Sequence, residues 1–147
     1  MFTQVHQQRT QLEADDCRRT EDMRRQACDD LLSASARFAM AWWRVADKLD
    51  DGEANEDLYQ ETAKEWVEVT GAQGRVAIAG PGPLATTGIA LFQQLKALDE
   101  AGTAWYWRCR EEDRHGLDKC AAQFREAIQA VAMHAFATAA REALGND

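Results

Sequence analysis

The run from Leu84 to Cys109 constrains this chain more than anything else in it. Leu84, Gly88, Leu91, Leu95, Leu98, Gly102, Trp105 and Cys109 follow one another at spacings of four and three without a miss. Helical residues three and four apart share a face, so this alternation draws one continuous seam down about seven turns. A seam of that length needs apolar cover along all of it. Gly88 and Gly102 lack a side chain and mark places where a neighbouring helix can come close. The chain is thereby committed to packing helix on helix.

Three breaks set the frame around the seam: "DDGEAN" at 50–55, "GPGP" at 80–83 and "RHGLD" at 114–118. Each combines Gly for a left-handed C-terminal cap with Pro, Asn or Asp for the next helix start. Three breaks leave four helices. The first is expected over about residues 8–50, with Leu12, Met23, Ala34 and Val45 recurring every eleven residues and Ala27, Phe38 and Leu49 beside them. An eleven-residue period keeps a stripe on a nearly straight helix. The second starts at the Asn55 cap and carries Leu58, Thr62, Trp66, Val69, Ala72, Val76 and Ala79, with Gly71 and Gly74 as a candidate kink. The third opens at Pro83 after a Gly80 cap. The fourth follows Gly116 as one helix, with Leu117, Ala121, Phe124, Ile128, Val131, Ala135 and Thr138 on one face.

Short turns between helices of similar length predict an all-α, antiparallel, up-down four-helix bundle with an extended N-terminal helix. One domain is expected over residues 1–147. Residues 1–30 form a charged helical extension of mixed sign that either projects into solvent or packs on another copy or a partner, and residues 31–147 form the bundle core. Few prolines and abundant Ala, Arg, Glu and Leu agree with helix throughout and with a high-GC bacterial source.

Charge narrows the partners. The net charge is −8, and residues 53–80 hold six acids against Lys64 and Arg75. A general double-stranded nucleic-acid binder needs the opposite sign to displace counterions. The N-terminus has no apolar stretch of the secretory kind, so a cytoplasmic location is expected. Cys17, Cys28, Cys109 and Cys120 contain no C-x-x-C, which argues against zinc. Free thiols are expected, with a Cys109–Cys120 bridge across the Gly116 turn left geometrically open.

The uncharged stretch "VAIAGPGPLATTGIALFQQL" (76–95) invites three readings. A membrane span needs about 20 predominantly apolar residues, and prolines, glycines, threonines and glutamines interrupt this one. A phosphate loop needs a Walker or G-x-G-x-x-G spelling, which is absent. The remaining reading is a buried helical hairpin. A carboxylate-bridged metal pair needs two Glu-x-x-His motifs, and only Glu112 with His115 supplies one. His134 falls near the apolar side of the fourth helix, where a hydrogen-bonded core histidine is expected. No nucleophile has both a base and an orienting group nearby in sequence. No catalytic residue, cofactor or metal is assigned, no small-molecule substrate is evident, and the chain reads as a non-enzyme.

Two aromatic–arginine clusters remain: "RFAMAWWR" with Trp42, Trp43 and Arg44, and "AWYWRCR" with Trp105, Trp107, Arg108 and Arg110. Adjacent helical residues diverge by about 100°, so each cluster presents aromatics on more than one side. Exposed Trp beside Arg is the composition of a protein interface, and these seven residues are the interface candidates. The same composition can stack single-stranded bases. In size and all-helical build the chain is similar to the small helical subunits of multisubunit RNA-guided effector complexes, a likeness of fold class only. The expected function is a non-catalytic interaction or assembly module, self-associating as a homo-oligomer or docking on a larger protein. A membrane-active bundle inserting the 76–95 hairpin, and a nucleoprotein subunit contacting single-stranded nucleic acid, are the alternatives.

Overall fold

The computed structural model describes residues 2–79 and 82–145, the side chains of residues 2 and 3 aside. The chain is all-α and packs as a helical bundle: α1 (Phe2–Asp50), α2 (Glu56–Ala79), α3 (Gly82–Arg110), α4 (Leu117–Gln129) and α5 (Met133–Ala143). The α3 seam is buried as its spacing requires, from Leu84 through Trp105, with Tyr106 added and Cys109 half-buried at its end. Pairs of contacts fix the helix directions. Arg24 meets Ala79, Arg37 meets Glu65 and Lys48 meets Glu53, so α1 and α2 run oppositely. Tyr59 with Tyr106 and Trp66 with Phe92 show the same for α2 and α3.

The α1–α2 turn is built as the sequence spells it. Gly52 adopts φ 82°, and the Asn55 side chain accepts the Leu58 N–H at 3.0 Å. At the next hairpin, the expected Gly80 cap lies outside the described residues. The carbonyl of Ala79, at the end of α2, instead accepts a 2.8 Å hydrogen bond from Nε of Arg24 on α1. A cation at a helix C-terminus complements both the orphan carbonyls and the dipole.

Two expectations are corrected. The fourth helix is not continuous: it breaks at Ala130–Ala132 into α4 and α5. No Pro or Gly causes this. The freed N–H of Ala132 donates to Oε1 of Gln94 on α3 at 2.8 Å, so a tertiary hydrogen bond replaces a helical one. The break also rotates the face that follows it. Phe136 and Ala140 are buried, while Ala135 and His134 are exposed, so His134 is not a core histidine. Gly71 and Gly74, by contrast, do not break α2.

The eleven-residue stripe of α1 has two fates. From Ala27 to Leu49 it forms the core, with Leu31, Phe38, Trp42 and Val45 fully buried. From residue 4 to residue 23 every residue is exposed, Leu12 and Met23 included. At about 1.5 Å per residue this is an arm of roughly 30 Å beyond the bundle.

Candidate functional site

The aromatic–arginine clusters meet at the bundle end that holds the α1–α2 and α3–α4 turns. Trp42 is fully buried and lies across Gly102, where an added Cβ would fall under 3.0 Å from its ring. That glycine is therefore required by packing, as the seam implied. Gly88 is the milder case: a Cβ there would meet Gln73 at 3.1 Å and Val76 at 3.3 Å. Tyr59 stacks on Tyr106 at 4.0 Å, and Trp105 packs on Phe124 at 5.6 Å. Trp42 also touches Tyr59 and Phe124, joining these pairs into one aromatic tier across the bundle.

The seven interface candidates accordingly divide. Trp42 and Trp105 are interior and belong to the core, because they point along the seams of α1 and α3. Trp43 and Trp107, one and two positions further round their helices, remain 44% and 42% exposed. Arg44, Arg108 and Arg110 are exposed. Trp107 is partly clad already: Arg110 sits 5.2 Å over its ring, and Tyr59 and Tyr106 meet its edge. Arg108 donates to the His115 carbonyl at 2.6 Å and holds the α3–α4 turn. Trp43 in turn meets Phe124 edge-on at 6.2 Å, so of the seven only Arg44 has no such contact among the described residues.

Between these turns lies an open cup of about 890 Å³, floored by Leu49, Trp105, Leu117 and Ala121. Its rim mixes Asp50, Asp51, Glu112 and Asp118 with Arg110, Arg114 and Arg125, and Arg125 is already paired with Asp50 at 2.8 Å. Glu112 holds φ 57°, the left-handed residue that ends α3, a place glycine usually takes. The rim charges nearly cancel, with four acids against three arginines.

Burial shifts three titratable groups of the interior. Burial pushes the thiols of Cys28 and Cys109 above their ordinary range, with Asp29 adding to the effect at Cys28, so both favour the protonated, less nucleophilic form. All four cysteines are free, including Cys109 and Cys120. Burial also raises the Asp99 carboxyl. The indole N–H of Trp42, 3.3 Å away, partly offsets this, and Glu100 adds a smaller upward push. Among the described residues, no cluster of three or more His, Cys, Asp or Glu is placed to hold a metal. None of the helices, over the same residues, is long and apolar enough to cross a membrane. Of the apolar residues between 76 and 95, Val76, Leu84, Leu91 and Leu95 are within the core, whereas Ile78 and Ile89 are exposed.

Sequence reasoning missed the outer face of α2. Val67, Gly71, Gly74 and Ile78 recur at four, three and four residues on the side opposite the buried stripe, and all are exposed. An added Cβ at Gly74 meets nothing within 4 Å, and at Gly71 only the Arg75 guanidinium, at 3.5 Å. Neither glycine has a positive φ or a packing reason within the chain. The signal was present: two glycines in a helix, bracketed by aliphatics that do not fit the core stripe.

No family model, no curated protein and no solved structure matches this chain.

Proposed function

We propose that this protein is a non-catalytic helical interaction module, working in the cytoplasm and either self-associating or docking on a larger protein. The observation that carries the proposal is the arm at residues 4–23, a helix exposed along its whole length among the described residues, with Val5, Leu12 and Met23 turned to solvent. A helix outside its bundle has only local terms to hold it, chiefly i,i+3 and i,i+4 charge pairs of about 0.2–0.5 kcal/mol each. Its exposed aliphatics contribute nothing to the fold and become favourable only when something covers them. Trp43 with Arg44 offers a second, smaller contact of the kind enriched in interfaces.

A photo-crosslinking amino acid at Leu12, illuminated in cells producing the protein, tests this. Discrete adducts at position 12, to itself or to another protein, and none with the same probe at exposed Lys119, are expected. Absence of any adduct at position 12 would remove the arm as an interaction element.

A further inference from the structure

We propose that Cys109 and Cys120 form a reversible disulfide site, a dithiol that an oxidising solute entering the cup converts into a bridge between α3 and α4. The site is independent of the arm and goes beyond the interaction role proposed above.

Register brings the two thiols together. The turn at 111–116 joins α3 to α4, and the two helices run oppositely. Trp105 packs on Phe124 across them, with ring centroids 5.6 Å apart. One turn nearer the loop lies four residues later on α3 and four residues earlier on α4, at Cys109 and Cys120. Four residues along a helix return nearly to the same face, so the thiols inherit the facing of the aromatic pair. Their surroundings agree. Cys120 is buried in the core, and Cys109 packs against that same core. Cys109 also shares the cup wall with Leu117 and Ala121, which bracket Cys120 on α4.

Size lets the helices close at this level. A disulfide asks for Cα atoms within about 7 Å. At the Trp105 level two large rings lie between the axes. At the cysteine level the side chains are small, with Ala121 beside Cys120 and Gly116 one turn before it. The Arg108 side chain ties the same ends together. It donates to the His115 carbonyl at 2.6 Å and would meet a Cβ at Gly116 at 3.1 Å.

Both thiols are free in the structure, so the bridge needs an oxidant, and its class is a low-molecular-weight disulfide. Half-buried Cys109 opens on the cup of about 890 Å³ and is the thiol that such a solute meets, whereas Cys120 is shielded. The Cys109 thiolate attacks one sulfur of the solute, forming a mixed disulfide and releasing one thiol. The Cys120 thiolate then attacks the Cys109 sulfur and releases the second thiol. The protein loses two hydrogens and two electrons, and the solute leaves as two thiols. Burial raises the Cys109 thiol, so the first step is slow at pH 7 and quickens as pH rises. The finished bridge pins the first turn of α4 to α3 and narrows the cup at Leu117 and Ala121.

The full-length chain with Cys17→Ser/Cys28→Ala, incubated with oxidised glutathione, tests the site. Its mass should fall by two hydrogens with no glutathione retained, and dithiothreitol should reverse the change. Trypsin should release peptide 109–110 joined to peptide 120–125, and oxidised wild type should give the same joined peptide. The initial rate should be at least about tenfold higher at pH 9 than at pH 7. The bridged form should melt a few degrees higher than the reduced one, because the loop is closed in the unfolded chain too. Adding Cys120→Ser should stop the reaction at one retained glutathione on Cys109. Glutathione retained on both thiols, thiols that stay reduced at pH 9, or a bridge that lowers the melting temperature would each overturn the proposal.

Discussion

The two halves of α1 share one helix and one eleven-residue period, yet they do opposite things. Residues 27–49 present their stripe to α2, α3 and α5 and bury it. Residues 4–23 continue the helix with Leu12 and Met23 in solvent. The difference is not propensity, since both halves are helical; it is whether a neighbour exists. Alpha2 ends at Ala79, level with Arg24, and beyond that point residues 4–23 are exposed among the described residues. A hydrophobic period names a face, and only the lengths of the other helices say whether that face is covered.

That contrast can be broken most forcefully at matched apolar positions. Phe38→Ala should cost about 3–5 kcal/mol by opening a cavity in the core, whereas Leu12→Ala should change the unfolding free energy of dilute protein by no more than about 0.5 kcal/mol. Chemical denaturation of both variants checks the pair, and comparable losses would erase the distinction between the halves.

Glycines extend the comparison to the helices that α1 meets and fails to meet. Gly102→Ala should cost about 2 kcal/mol, because the methyl group enters the Trp42 ring and neither the indole nor the helix backbone can yield freely. Gly74→Ala should instead gain up to about 1 kcal/mol in dilute protein, since alanine is the better helix former and the site is open. Melting curves of the two variants should move in opposite directions.

The junction is the next place to press. Arg24→Ala removes the cation that holds the last carbonyl of α2, and a loss of about 1 kcal/mol is expected for a part-buried, charge-assisted hydrogen bond. Amide exchange in the last turn of α2 should quicken more than in its centre.

The smallest effect concerns Trp42 and the half-buried Asp99 beside it. Because burial raises the Asp99 carboxyl, the folded state holds this proton more tightly than the unfolded chain does. The associated stability is present below the ordinary carboxylate range and is lost as pH rises through the raised folded value. Asp99→Asn keeps an oxygen to accept the indole N–H and removes the charge. It should be the more stable form at pH 7, with the advantage shrinking to nothing below about pH 4.

Much of the frame was legible before any coordinates. The α3 seam, the Asn55 cap and the Gly52 turn all follow from spacing and from residues with few conformational options. Trp42 and Trp105 could not be told from Trp43 and Trp107 by composition, because adjacent aromatics conceal which one follows the seam. The break before Met133 left no local mark. Ala130, Val131 and Ala132 are ordinary in a helix, and the group that takes up the freed Ala132 N–H is a glutamine 38 residues away in sequence. The outer face of α2 was read only as two weak points in a helix. Its meaning depends on those glycines facing open space, which sequence does not record.

The melting temperature as a function of protein concentration, for wild type and for Leu12→Glu/Met23→Glu, tests most directly whether the arm serves association and not the fold. Association stabilises the folded state by mass action, so wild type should melt higher as concentration rises. The double variant should show no such rise, and the two curves should meet at the lowest concentration. A variant that melts well below wild type even there would make the arm part of the fold, and two flat, coincident curves would leave self-association without a basis.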